Sequence, residues 1–199
     1  MIGFLLVGLL AAIYLIINMV LPHVGLNPQI ATYLIQPLLW IILIVVVKIL
    51  PGYRPLGKSS KKSVFVQFAL GIAGIQILLY IIGGLFSGFG KSPSSFTLLG
   101  ITENIFYVGT MLVGMELSRA WLVTRFGKKN TFMVIFLATL VFTIISIPLG
   151  QITGFQLRIT SSNQVISSWL PLLAENMAAS LLVLTGGASA SLAFPSIML

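Results

Sequence analysis

MIGFLLVGLLAAIYLIINMVL, from Met1 to Leu21, carries no charged residue. As a helix rising 1.5 Å per residue it spans about 31 Å, and the hydrocarbon core of a bilayer is about 30 Å thick. A cleavable secretory signal opens with basic residues and has a shorter apolar stretch. This run has neither feature and reads as a retained transmembrane helix.

The same pattern recurs along the chain. Further apolar runs cover 30–50, 63–86, 98–123, 131–149 and 165–184. Breakers separate them: Pro22, Gly25 and Pro28, then PGYRPLGKSSKK at 51–62, then SGFGKSPSSFT at 87–97. Pro37 in the second run predicts a kink. Together with Pro171 in the sixth it raises the paired broken helices of transporters, although membrane helices tolerate proline anyway. Gly71 and Gly74, with Gly109 and Gly114, are small residues that permit close helix approach. Thr185-Gly186-Gly187 interrupts the pattern, and Ala188–Leu199 is small, apolar and too short to span as a helix. The expected fold is an all-α polytopic transmembrane bundle of six spans, forming a single membrane domain. Residues 188–199 are then a partial seventh span or a re-entrant piece. A chain that stops inside an apolar run reads as part of a longer one.

Composition agrees. The 199 residues are 58% hydrophobic and 7% charged, where soluble domains carry about 25% charged residues. Eleven Lys/Arg face three acids, for a net charge of +8. In a soluble protein this would point to nucleic acid. Here seven of the basic residues sit in the loops 51–62 and 124–130, and two in the loops 87–97 and 150–164. Cytoplasmic loops retain Lys and Arg. The expectation is therefore a cell-membrane protein with a cytoplasmic N-terminus and cytoplasmic basic loops, with the lipid bilayer as its partner and no nucleic acid. There is no Cys and a single His, so thiolate chemistry, haem attachment and a zinc site lack ligands. No metal or cofactor is expected.

Apart from Lys48 at the end of the second run, the charged residues within the runs are Glu103, Glu116, Arg119 and Glu175, each costly inside a membrane and so a candidate binding or intramembrane polar site. Glu116 and Arg119 are three apart and share a helix face. They read as a structural ion pair near a helix end, with Arg119 snorkelling to the interface. Glu103 lies about 140° around the same helix from Glu116, so the two do not form a carboxylate pair. Glu175 follows Pro171 by four residues. It reads either as a proton or solute contact or as a carboxyl hydrogen-bonded to a neighbouring helix. His23 lacks partners for catalysis, and SGFGKSPSS lacks the full phosphate-loop spacing.

The stretch GFGKSPSSFTLLGITENIFYVGTMLVGMELSRAWLV, Gly88 to Val123, resembles the membrane-embedded N-terminal region of archaeal type I signal peptidases. The resemblance is carried by GFGKSP at 88–93 and by GMELSRA at 114–120. It implies a serine/lysine catalytic domain following the membrane region, outside the cell. No such domain and no Ser/Lys motif lie within this chain, so no catalytic residue is assigned. MELSRAWL also differs from the E-E-x-x-x-R of CAAX-type intramembrane proteases, lacking the second Glu and the spacing to Arg. The leading expectation is a non-catalytic membrane domain that anchors the protease domain. Its partners would be apolar substrate helices such as signal peptides, or a translocation complex. Two alternatives stand beside it: a proton- or solute-coupled transporter centred on Glu175, and an accessory subunit of a larger membrane complex.

Overall fold

The computed structural model describes residues 2–52, 62–88, 97–127, 130–153 and 168–196. Most of the basic loop 51–62, of GFGKSP and of the loop 150–164, together with the last three residues, lies outside them. The described residues form an all-α bundle without strands. Its elements are α1 (Ile2–His23), α2 (Pro28–Ile49), α3 (Lys62–Ser87), α4 (Leu98–Phe126), α5 (Thr131–Ser146), the short α6 (Leu149–Thr153) and α7 (Leu170–Ser196). Five of them, α1 to α4 and α7, are long and apolar enough to cross a membrane. The outer surface is apolar too: Phe4 and Phe86 are 85% and 89% exposed. Such a surface has hydrocarbon as its solvent, and this is a membrane protein.

Side-chain caps set the helix starts. Asn27 accepts from Gln29 N ahead of α2, Thr97 from Gly100 N ahead of α4, and Asn130 from Met133 N ahead of α5. α5 is shorter than the expected run 131–149. Ile147 is extended, and Pro148 follows it. Pro22, Pro37 and Pro171 each come soon after a π-type turn, at Ile16–Val20, Ala31–Ile35 and 168–169. Proline lacks the N–H of the regular ladder and crowds the carbonyl four residues back. A wide turn accommodates both defects.

Contacts between helices fix directions. Tyr33 meets Tyr107, Trp40 meets Gly114, and Gly52 meets Arg125, so α2 and α4 run parallel. Asn176 meets Arg119, and Leu184 meets Gly127, so α7 runs parallel to α4. Gln76 meets Glu175, and Phe65 meets Gly186, so α3 runs antiparallel to α7. α4 is the central helix: the ten residues Gly114 to Val123 are all buried.

α7 is two helices, broken where the sequence predicts. Gly187 has φ 71° and ψ −167°, a region open essentially to glycine alone. Asn176 and Ser191 would stand about 22 Å apart along a straight helix. Both bond to the single Glu116–Arg119 pair. Leu184 already lies beside Gly127, yet Ser191 is back at Glu116. The chain therefore reverses at Gly187, and the segment 188–196 re-enters the bundle. There Ala190 and Phe194 join Ala69 and Ala73 of α3 in a small apolar cluster. The helix break sits at Gly187 and not at Pro171.

The expected close approaches hold at only one of the four glycines. A side chain built on Gly114 would stand 2.8 Å from Trp40 Cε3. Among the described residues nothing lies within 4 Å of one built on Gly71, Gly74 or Gly109. The tight α3–α7 contact uses Ala69 and Ala73 instead, on a different face of α3 from Gly71 and Gly74.

Candidate functional site

The most polar part of the interior is built on α4. Arg119 Nη1 lies 3.0 Å from Glu116 Oε1. Arg119 Nη2 donates to Asn176 Oδ1 at 2.5 Å, and Asn176 Nδ2 donates to the Leu172 carbonyl at 2.9 Å. Ser191 Oγ donates to Glu116 Oε2. The Phe142 ring lies 4.7 Å from Arg119 Cζ, a cation–π contact from α5. Ser180 Oγ donates to the Asn176 carbonyl at 2.8 Å, and Thr139 reaches Ser180 at 3.4 Å. One ion pair thus ties α4, α5 and both parts of α7.

Glu116 and Arg119 are 4% and 1% exposed, so Arg119 does not snorkel. Its partners all lie inside the bundle, well before the end of α4. The Nη1 contact is charge against charge, without the angle of a hydrogen bond, and Arg119 Nε has no hydrogen-bond partner among the described residues. A buried pair in this state contributes little net stability, while loss of either member leaves a buried charge without its counter-ion. Chemically the cluster is closed. Ser191 lies against a carboxylate, as a nucleophile beside a base would, but it is fully buried.

Glu175 belongs to a separate contact. It accepts from Gln76 Nε2 at 2.5 Å and from Tyr80 Oη at 3.2 Å, both on α3. Its neighbour Asn176 points to α4. Consecutive helical positions lie about 100° apart, so the sequence-adjacent pair serves two different helices. Glu103 is half-buried near the start of α4, about 20 Å along the helix from Glu116. His23 is exposed and its Nδ1 donates to the Met19 carbonyl at 2.6 Å. Among the described residues, no three of His, Asp or Glu gather as a metal site would require.

A cavity of about 200 Å³ lies between α1, α2, α4 and the end of α5. Its polar lining comes from Tyr14, Asn18, Gln36, Trp40, Tyr107 and Ser146, and its apolar lining includes Met111 and Met115. Asn18 and Gln36 sit within or directly after the two π-turns, whose extra residue turns side chains out of the usual helical register. Asn18 also anchors the corner, donating to the Tyr14 carbonyl at 2.9 Å and accepting from Leu149 N at 3.1 Å. Tyr14 Oη donates to the Ile147 carbonyl at 2.8 Å. Trp40 is 3% exposed, and its indole N–H has no partner among the described residues.

The structure therefore brings Glu116 and Arg119 together and leaves Glu103 and Glu175 outside their cluster. Asn176, Ser191 and the cavity residues went unnoticed in the sequence, because isolated neutral polar residues in apolar runs carry no spacing signal. Comparison with family models, with curated proteins and with solved structures finds no match to this chain.

Proposed function

We propose that this chain is a non-catalytic domain of the cell membrane that anchors and orients an extracellular serine protease domain of signal-peptidase type and receives the apolar helix of its substrates. One observation carries the reading. Glu116, in the GMELSRA segment that resembles those peptidases, holds the segment returning from Gly187 through Ser191. The residues behind the resemblance thus act as a scaffold, and their polar groups are enclosed. The reversal supports delivery of following residues to the side of the membrane opposite Gly187. With the basic loops 51–62 and 124–130 in the cytoplasm, that side is the exterior.

The transport reading gains less support. The carboxylate of Glu175 is engaged by Gln76 and Tyr80, and it does not line the cavity.

Two measurements test the proposal. The intact mass of the gene product should exceed 21.5 kDa, with a serine and lysine beyond Leu199, and that product should cut a preprotein that residues 1–199 alone leave intact. A product ending at Leu199, or cleavage by residues 1–199, overturns it. The absence of native Cys makes orientation accessible: Leu26→Cys should react with an impermeant maleimide on intact cells, and Lys128→Cys only after permeabilisation.

A further inference from the structure

The cavity beside the π-turns has a chemical character that neither the ion-pair cluster nor the anchoring reading uses. Among the described residues its lining contains no carboxylate, Lys, Arg or His, so these offer an occupant neutral groups only. Trp40 supplies a buried donor without an acceptor. Its Cε3 edge lies against Gly114, and the N–H is on the opposite edge of the indole. A buried donor left unpaired is costly, and a ligand oxygen would satisfy it.

Size and position narrow the occupant. At about 200 Å³ the cavity is smaller than the roughly 300–1,000 Å³ that encloses a whole small molecule. An occupant therefore enters in part and leaves the rest outside. Ile17, Met111 and Ile145 are half-buried lining residues, so the cavity opens along an apolar edge. Asn18 and Gln36 lie five and eight residues from the ends of α1 and α2, about 8–12 Å in along each helix. These helices have 22 residues each and are about 33 Å long against a hydrocarbon core of about 30 Å. That depth therefore lies about 6–10 Å inside the acyl region, and an occupant reaches it from the lipid side.

We infer that this cavity binds a membrane amphiphile by its neutral linkage oxygen, an ester, amide or hydroxyl, accepting from the Trp40 indole N–H. The alkyl chain lies along Ile17, Met111 and Ile145. The flexible Met111 and Met115 side chains let the wall fit the first chain carbons.

Monoolein, a neutral glycerol ester with one chain, is the probe, and oleate is the charged control. Native mass spectrometry of the purified chain should show one saturable monoolein adduct and weaker oleate binding. Trp40→Phe keeps most of the ring and removes the donor, and should weaken monoolein about fivefold to tenfold. A Trp40→Phe protein with unchanged thermal melting and wild-type affinity overturns the inference. A second readout leaves the cavity intact. In a Trp121→Phe/Trp169→Phe background, monoacylglycerol brominated on its chain should quench Trp40 saturably. Quenching that rises without saturation, equal to that of a brominated alkane, also overturns it.

Discussion

Arg119→Met is the perturbation that most directly tests how the bundle is held together. It removes the guanidinium from between Glu116, Asn176 and the Phe142 ring. Glu116, 4% exposed, then keeps only Ser191 as a partner among the described residues. Breaking a buried pair from one side costs about 3–5 kcal/mol, or roughly a thousandfold in the unfolding equilibrium. Glu116→Leu should cost a similar amount, because Arg119 then stays buried without its counter-ion. The double variant Glu116→Leu/Arg119→Met removes both charges. It strands Asn176 Oδ1 and Ser191 Oγ, and hydrogen bonds between membrane helices are worth about 0.6 kcal/mol on average. Its expected cost is about 1–2 kcal/mol, below either single change. Steric trapping or graded detergent unfolding in bicelles measures all three variants. Additive costs in the double variant, or an Arg119→Met cost under about 1 kcal/mol, would refute the reasoning, since the pair would then not act as a unit.

Four further changes probe other parts of the bundle. Gly114→Val should destabilise by about 1–3 kcal/mol, because its Cβ meets Trp40 Cε3 at 2.8 Å; Gly71→Ala, with nothing within 4 Å, should be neutral or slightly stabilising in the same unfolding assay. Gly187→Ala forces a side chain into φ 71° and should cost about 1–3 kcal/mol. It should also free the re-entrant segment, so that a Ser191→Cys reporter shielded in the parent reacts with maleimide. Glu175→Gln should shift stability by less than about 1 kcal/mol and leave proteoliposome ion flux at the wild-type level, whereas a flux abolished by this change would restore the transport reading.

The helices were legible because hydrocarbon solvent imposes a simple rule: about 20 residues without charge. Met1–Leu21 falls almost wholly within α1, and the interruption at Thr185–Gly187 coincides with the break at Gly187. Depth and packing face did not. Arg119 lies near basic residues at the end of a run, so snorkelling is the natural reading. It fails because α4 is central at Gly114–Val123, and no surface lies within reach of the guanidinium. Gly71 and Gly74 have the spacing of a contact face, but the packed face of α3 is that of Ala69 and Ala73. Composition cannot distinguish those two faces, since both are small and apolar. Asn176 was hidden by its neighbour. A lone carboxylate at 175 draws attention, while the amide beside it makes the contact with Arg119.

The two polar regions of the bundle follow opposite logics. Around Glu116, charges are buried among partners drawn from α4, α5 and both parts of α7. Almost any loss there leaves a charge stranded, which favours one arrangement of the returning segment over its alternatives. Around Trp40 the groups are neutral, the walls hold flexible methionines, and a donor is left unsatisfied. Filling or emptying that corner moves no charge, since its described lining groups are neutral. Parallel packing of α2 on α4 brings the two together where Trp40 lies against Gly114. Gly114 begins the segment that carries the ion pair, and Trp40 lines the cavity. A bulkier residue at 114 should therefore disturb ligand binding in the cavity as well as stability, whereas Arg119→Met should disturb stability alone.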